Sequence, residues 1–371
     1  MDETTKIIGV IDNGSYTIKS GFAGDDAPKK IFPSVVGYAQ RSAINEAMDA
    51  RNYYCGEAAK ERRGRLKLVQ PIKDSIVSNW EDIEDLWSYT FYEELKISPE
   101  ESYTVISDSP LNPNKYREKT IEILFDLFNF EGVNLINKDI LALYASGRAT
   151  GCVIDSGYGV TYSVPIFEGY VSPNSVQSLN IGGRHLDEYL NKILLTKGYE
   201  FTTSLELEIV SQIKEELCIM KEDARFKPND NEFKIYQLPD DSLVRLSSER
   251  YNITEILFNP KLFDINEDGI HEIMYKSILR CCDDIQPEML RNIILTGGNT
   301  LFENFKERLL GEIIELRRDK NGIQIIAPKE RLYATWIGGS IIGSLETFED
   351  MSITRKEYEE YGCRIIHDKT F

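Results

Sequence analysis

The sequence has few of the residues from which disulfide frameworks and zinc sites are built. Its 371 residues include six cysteines and three histidines. No two cysteines have the C-x-x-C spacing, and the adjacent Cys281 and Cys282 suit a disulfide framework poorly. The histidines, His185, His271 and His367, are too far apart for a zinc-binding pattern. We therefore expect reduced thiols and no structural zinc.

Positive charge and long apolar runs are also scarce. The chain has 43 Lys and Arg against 61 Asp and Glu, a net charge of -18, which repels phosphate backbones and argues against direct nucleic-acid binding. No run of about 18 apolar residues is present, and the first residues lack the basic and apolar parts of a signal peptide. We expect a soluble, intracellular protein without membrane insertion.

Two segments of the chain resemble each other. Residues 7–15 and 151–159 each consist of an apolar β-branched run, then Asp, a small polar residue and Gly. This pattern is typical of a buried strand that turns sharply into the next strand, and such a tip presents backbone N–H groups that can hold phosphate oxygens. The repetition, in a chain long enough for two domains, predicts a duplicated fold with one phosphate-binding hairpin in each lobe.

Helical and strand-like patterns alternate in the rest of the chain. Residues 80–95, 114–128 and 204–220 have helical patterns, whereas residues 102–108 and 233–238 are strand-like. This alternation predicts an α/β protein with mixed sheets and covering helices. Residues 292–300 place two glycines after an apolar strand and before a helix, an edge where ligands commonly bind.

The chain resembles actin over nearly its whole length, most clearly in residues 12–15, 21–28, 143–148, 164–170, 336–340 and 365–371. The resemblance implies the actin-like duplicated fold, of the type shared with Hsp70 and sugar kinases, with ATP or ADP and Mg²⁺ or Ca²⁺ in a central cleft. It implies a first lobe of residues 1–137 plus 335–371, with a small outer subdomain at about 34–70. The second lobe would be residues 138–334, with its outer subdomain at about 182–271.

The resemblance also implies which residues bind the nucleotide. Asp12 and Asp155 would hold the divalent cation through its waters, as suits an ion that keeps its hydration shell. The phosphates and nucleoside would be bound by residues of the two hairpins, of the 204–220 helix and of the glycine-rich loop: Asn13, Gly14, Ser15, Lys19, Ser156, Gly157, Gly159, Val160, Gly183, Lys214, Glu215, Gly297, Gly298, Asn299 and Phe302.

Departures from the family concentrate around the expected nucleotide. Tyr16 replaces a glycine in the first hairpin, and Tyr158 replaces an aspartate near the ribose, so one carboxylate acceptor is lost. Ser211 replaces a basic residue and Leu332 replaces a lysine. Tyr16 crowds the phosphate end unless its ring points outward, and the other three changes predict fewer polar contacts with the nucleoside.

The two positions that hold the attacking water in actin are Lys138 and Tyr162 here. A lysine cannot accept a hydrogen bond, so it cannot orient that water as a glutamine carbonyl would. We therefore predict slow or absent hydrolysis and assign no catalytic residue. Alternatively, Lys138 is a solvated lysine at a helix start, and Tyr158 and Tyr162 pack between the lobes.

Three segments bear on partners. A groove at Tyr144, Tyr170, Ile342, Leu345 and Met351 has the apolar character that docks a partner's helix or a neighbouring subunit's loop, although core packing is the alternative for about half of it. Residues 37–54 match the family's mobile outer loop but have the composition of a short helix or an ordered contact. Residues 258–266 match the inter-strand plug with more charge, which predicts altered lateral contacts.

These features favour a cytoplasmic, cytoskeletal actin-like protein that binds ATP and acts as a subunit or cap of a filament with other actin-like subunits or actin. The alternative is a nuclear actin-related protein that serves as a fixed module of a chromatin-remodelling complex. A sugar or acetate kinase of the same fold would need a second substrate pocket and a catalytic base, and no pattern in the sequence marks either.

Overall fold

The computed structural model describes residues 6–39, 53–229 and 231–369. The chain forms two compact units: residues 1–149, 168–173 and 333–371 in the first, and residues 150–167 and 174–332 in the second. Lys138 begins a helix of the first unit. The lobe and subdomain limits drawn from the sequence stay a prediction, and most of the outer loop, residues 40–52, lies outside the described residues.

The strands are short and apolar on their buried faces. In chain order they are β1 Ile7–Asn13, β2 Thr17–Phe22, β3 Lys30–Pro33, β4 Val36–Ala39, β5 Tyr53–Cys55, β6 Leu66–Val69, β7 Ile72–Lys73, β8 Ile76–Val77, β9 Ser102–Asp108, β10 Gly132–Asn137, β11 Gly151–Ser156, β12 Thr161–Phe167, β13 Tyr170–Val171, β14 Gln177–Leu179, β15 Lys234–Gln237, β16 Leu243–Leu246, β17 Ile293–Thr296, β18 Ile325–Ile326 and β19 Ile353–Thr354.

The α-helices are α1 Gly56–Glu61, α2 Trp80–Ser88, α3 Asn114–Glu122, α4 Lys138–Ala145, α5 Gly183–Thr196, α6 Ser204–Leu217, α7 Glu249–Asn252, α8 Ile270–Leu279, α9 Gln286–Arg291, α10 Phe305–Arg317, α11 Ala334–Gly343, α12 Phe348–Met351, α13 Arg355–Tyr361 and α14 Ile366–Lys369. π-helical turns extend α2 and α3 over Tyr89–Leu95 and Ile123–Leu127. Short 3₁₀ turns lie at Pro99–Glu101, Ile253–Leu257, Pro260–Phe263, Gly298–Leu301 and Cys363–Ile365.

The sheet of the first unit has the strand order β19-β10-β9-β1-β2-β3. Strand β1 is antiparallel to β2 and parallel to β9. Helix α11 packs closely on this sheet: a Cβ on Gly339 would lie 2.7 Å from Val10 Cγ1, and Trp336, fully buried, donates from Nε1 to the Val10 carbonyl. On its other side α11 meets α4, because a Cβ on Gly338 would lie 1.9 Å from the Leu141 carbonyl oxygen. The C-terminal part of the chain therefore completes the core around the N-terminal strand.

The sheet of the second unit repeats this local plan. Strand β11 is antiparallel to β12 and parallel to β17, with Asp155 opposite Tyr162 on one side and opposite Thr296 on the other. Its core combines β11, β14 and β17 with α5, α6, α8 and α10. Each unit thus contains a hairpin whose first strand has a parallel neighbour, and this confirms the predicted α/β fold with mixed sheets.

The predicted elements are found with small changes at their ends. The strands predicted in both hairpins and at residues 102–108 are present, as are the helical segments from Trp80 and Asn114. Helix α6 ends at Leu217, three residues before the predicted Met220, because Cys218 has an extended backbone with ψ of 142°. None of the described helices combines the length and the apolar character that a membrane crossing requires.

Candidate functional site

The first hairpin has a charged pair at its base. Lys19 Nζ lies 2.7 Å from Asp12 Oδ2, because the two residues are directly opposite each other on β2 and β1. Ser107, at the end of the parallel strand β9, donates to Asp12 Oδ1 at 3.1 Å and accepts from the Asn13 N–H at 2.9 Å. Asn13 Oδ1 accepts from Trp87 Nε1. The carboxylate of Asp12 is therefore held by two elements of the sheet.

The tip of this hairpin is tight and is supported from β7–β8. A Cβ on Gly14 would lie 2.5 Å from the Thr17 carbonyl oxygen, so only glycine fits there. The Ser75 N–H donates to Ser15 Oγ at 3.0 Å. Since this contact uses a lone pair of the hydroxyl, the Ser15 proton remains available for an acceptor such as a phosphate oxygen. Tyr16 is 39% exposed.

Lys138 is joined to the same tip. It begins α4 and is half-buried, and its Nζ donates to Ser75 Oγ at 3.3 Å. Ser75 has a positive φ of 65°, which is uncommon for a residue other than glycine. Lys138 is therefore a bonded residue at a helix start rather than the solvated lysine of the alternative interpretation.

The second hairpin is closed by the glycine-rich loop after β17. A Cβ on Gly297 would lie 2.4 Å from the Ser156 carbonyl oxygen and 2.6 Å from Asp155 Oδ1. Gly297 also has φ of 88° and ψ of 155°, a region that essentially only glycine occupies. Asn299 donates to both Ser156 Oγ and the Gly157 carbonyl, at 3.1 and 2.8 Å. Sequence-predicted residues from two distant segments therefore form one cluster.

The start of α5 lies against the tip of this hairpin. The Gly183 and Arg184 N–H groups donate to the carbonyls of Gly157 and Tyr158. A Cβ on Gly182 would lie 2.5 Å from the Tyr158 carbonyl oxygen, and one on Gly183 would lie 3.3 Å from the Tyr158 ring. Tyr158 is therefore packed against the helix start, and burial raises the pKa of its hydroxyl to about 12.

Lys214 approaches the same helix start from α6. Its ammonium lies 2.8 Å from Asp187 Oδ1 and donates to the Gly183 carbonyl at 3.3 Å. Ser211 donates to Asp187 Oδ2 at 2.6 Å. Burial raises the pKa of Asp187, and the Lys214 ammonium opposes that shift. The serine that replaces a basic residue thus belongs to a buried polar group centred on Asp187.

The remaining predicted positions extend this region. Gly157 donates to the Val160 carbonyl, Gly159 packs against Gly182, and Phe302 is partly buried against the core of the unit. A Cβ on Gly298 would lie 3.9 Å from Leu332, whereas Glu215 is exposed. Tyr162 is 3% exposed. The structure places Gly157, Gly159 and Val160 in the second half-site, by which we mean the β11–β12 hairpin tip with its neighbours from α5, α6 and the 297–299 loop.

Three residues of these half-sites were missed in the sequence. Ser75 and Ser107 belong to the first half-site, the β1–β2 hairpin tip with its neighbours, and Asp187 belongs to the second. Ser107 could have been found, because it ends the strand expected to lie parallel to β1. The spacing of Asp187 four residues after Gly183 is a weak signal, since its partner Lys214 is on another helix.

The predicted partner groove divides into core and surface. Ile342 is 8% exposed and packs in a core with Trp336 and Leu141, so it is a core residue rather than a docking residue. Tyr170 and Leu345 are 58% and 44% exposed. Tyr144 and Met351 are half-buried and pack against that core.

The donor groups of the half-sites suit a nucleotide with a divalent cation. Each hairpin supplies one buried aspartate, and the first also supplies an ammonium and a serine hydroxyl. Within residues 6–39, 53–229 and 231–369, no group of three or more His, Cys, Asp or Glu side chains could enclose a metal ion. A cation held mainly through its waters needs only such isolated carboxylates.

A comparison with family models matches the actin family over residues 1–371. Proteins of this family in general bind ATP or ADP with a divalent cation, and they are generally cytoskeletal or nuclear. The match covers the two hairpins, the glycine-rich loop and the C-terminal helices. The chain belongs to the actin family.

Proposed function

We propose that this protein binds ATP or ADP with Mg²⁺ or Ca²⁺ through residues of both half-sites and serves as a subunit or cap of a cytoplasmic filament, with slow or absent ATP hydrolysis. Asp12 and Asp155 hold the cation through water. Lys19 and Ser15 bind phosphate oxygens, and the second half-site contacts the nucleoside.

The contact of Lys138 with Ser75 carries the proposal of slow hydrolysis. The ammonium has only donors, and one of them is directed to Ser75 Oγ at 3.3 Å. A water aligned for attack on a phosphate needs an acceptor that orients it and relieves it of a proton. Tyr162, the other residue at a water-holding position, is buried in β12 beside Asp155.

The first experiment measures the nucleotide released when freshly purified protein is denatured, together with sedimentation in Mg-ATP and the rate of phosphate release. We expect bound ATP, a pelleting polymer and phosphate release far slower than that of conventional actin. Release at the rate of conventional actin would contradict slow hydrolysis. Protein that carries no nucleotide and does not take up ATP would contradict nucleotide binding.

Lys138→Gln sharpens this test because it restores a carbonyl acceptor. We expect phosphate release to rise at least tenfold, which corresponds to about 1.4 kcal/mol of barrier. Lys119→Gln, a surface lysine of α3 that pairs with Glu122, is the matched control and leaves the rate unchanged. An unchanged rate in Lys138→Gln would mean that the lysine does not limit hydrolysis.

Exposure of Tyr170 and Leu345 supports partner contacts with actin-like subunits or actin-binding proteins at the surface around Tyr144 and Met351. The second candidate function is a nuclear actin-related protein that acts as a fixed module of a chromatin-remodelling complex. It is supported by Tyr16 at the first tip, because some actin-related proteins also carry a tyrosine there. Sedimentation of the protein alone and mixed with conventional actin filaments separates the two candidates, because a filament subunit or cap pellets in at least one of these conditions, whereas a fixed module stays in the supernatant in both.

A further inference from the structure

The second half-site contains a buried ion pair at the position where a nucleoside is expected. Lys214 and Asp187 side chains are 6% and 13% exposed, and their charged atoms are 2.8 Å apart. The ammonium also donates to the Gly183 carbonyl. The ammonium of Lys214 is thus engaged within the protein itself, by one ion pair and by one hydrogen bond.

Asp187 is held in this arrangement from a second direction. Ser211 donates to its other carboxylate oxygen at 2.6 Å, and Ser211 lies on the same helix as Lys214, one turn earlier. Asp187 and Gly183 lie one turn apart on α5. The pair therefore joins α6 to the first turn of α5, which in turn donates its N–H groups to the hairpin tip at Gly157 and Tyr158.

We propose that Asp187 is a positioning residue that takes up the charge of Lys214 and holds its ammonium against the first turn of α5, so that this subsite does not offer the ammonium to a ligand. The inference rests on the proposed binding of ATP. It reverses the simpler expectation that Lys214 contacts the nucleotide through its ammonium.

A double-mutant cycle tests the pairing without any ligand. Lys214→Met keeps the stem and removes the charge, which leaves Asp187 buried without its counter-ion and lowers the folded-to-unfolded ratio by more than about tenfold. Asp187→Asn also destabilises the protein. The double variant recovers most of the loss, because replacing both partners of a buried pair costs little. Losses that simply add would overturn the pairing.

The affinity for ATP tests the role. We expect the folded double variant Asp187→Asn/Lys214→Met to bind ATP within about threefold of the unchanged protein, since neither of the removed charges contacts the ligand. A loss of more than about tenfold in the double variant would overturn the proposal, because the ammonium would then be a ligand contact. The exposed pair Lys276 and Asp268 provides matched control variants, which change neither stability nor affinity.

A failure of the proposed nucleotide binding can be distinguished from a failure of the Asp187–Lys214 pairing. Unchanged protein that binds no ATP while the ligand-free cycle still shows coupling would refute nucleotide binding and support the pairing. Normal ATP binding with additive losses would refute the pairing and leave nucleotide binding intact.

Discussion

In both hairpins an aspartate lies near the end of the first strand, before a turn that contains glycine, but the charged residues around the two turns differ. In the first, the cation Lys19 lies on the hairpin itself and contacts Asp12 across the strands. In the second, the cation Lys214 comes from α6 and pairs with Asp187, whereas Asp155 lies under the Gly297 loop. A repeated topology therefore fixes where the carboxylate lies, and the neighbouring helices decide which charges remain for a ligand.

The largest predicted effect comes from filling the space between the second hairpin and the glycine-rich loop after β17. Gly297→Ala places a methyl group against Ser156 and Asp155 and forces an alanine into a positive φ, so we expect a loss of about 3 to 4 kcal/mol in the free energy of unfolding. Urea denaturation of the purified variant measures it.

Gly198→Ala is the matched control, because Gly198 has a φ of 87° and no atom lies within 4 Å of its added Cβ. It should lose only about 1 kcal/mol, the cost of the backbone conformation alone. Equal losses in the two variants would mean that the close approach at Gly297 is not tightly packed.

Lys19→Met tests the charge of the first tip. It leaves the buried Asp12 with a hydrogen bond from Ser107 but without its counter-ion, and we expect a loss of about 2 to 3 kcal/mol in the free energy of unfolding without nucleotide. Denaturation in urea measures the loss. Lys30→Met removes an exposed lysine that pairs with Glu94 and should change stability by less than about 0.5 kcal/mol. A Lys19 variant as stable as the Lys30 variant would show that the first pair is not a structural contact.

The smallest predicted effect is the contribution of Tyr158 to the free energy of unfolding at alkaline pH. The folded pKa of about 12 lies above the ordinary value of 10.0, so above pH 10 the unfolded chain loses this proton first and stability falls as pH rises. Tyr158→Phe lacks this loss. Its free energy of unfolding, relative to the unchanged protein, should therefore rise by about 1 kcal/mol between pH 9 and pH 11.

Leu205→Ala, a change at an exposed side chain without a titratable group, serves as the control. Its stability difference from the unchanged protein should be the same at both pH values. A difference for Tyr158→Phe that does not change with pH would show that the ring is not buried at the second tip.

Local pattern predicted the hairpins, because a β-branched run followed by Asp and Gly dictates a strand and its turn within a few residues. It also marked the loop after β17, which follows an apolar strand, and the resemblance to actin then singled out Gly297 and Asn299 within that loop. Ser75 and Asp187 could not be predicted in this way. Their roles depend on contacts with Lys138 and Lys214, which are distant in sequence and are brought close only by packing of the helices. The burial of Ile342 could not be predicted for the same reason, because it follows from the packing of α11 against the rest of the first unit and not from the residues next to Ile342 in the sequence.

The position of α11 has a consequence for synthesis of the chain. Strand β1 is synthesised long before α11, but its Val10 carbonyl accepts a hydrogen bond from Trp336 of α11. Contacts between such distant residues form late and expose apolar surface in the meantime. The face of β1 that packs against α11 therefore stays uncovered while the whole of the second unit is synthesised. A nascent chain stopped before α11 should be prone to aggregate, and it should become able to complete the first unit only after the C-terminal helices have emerged.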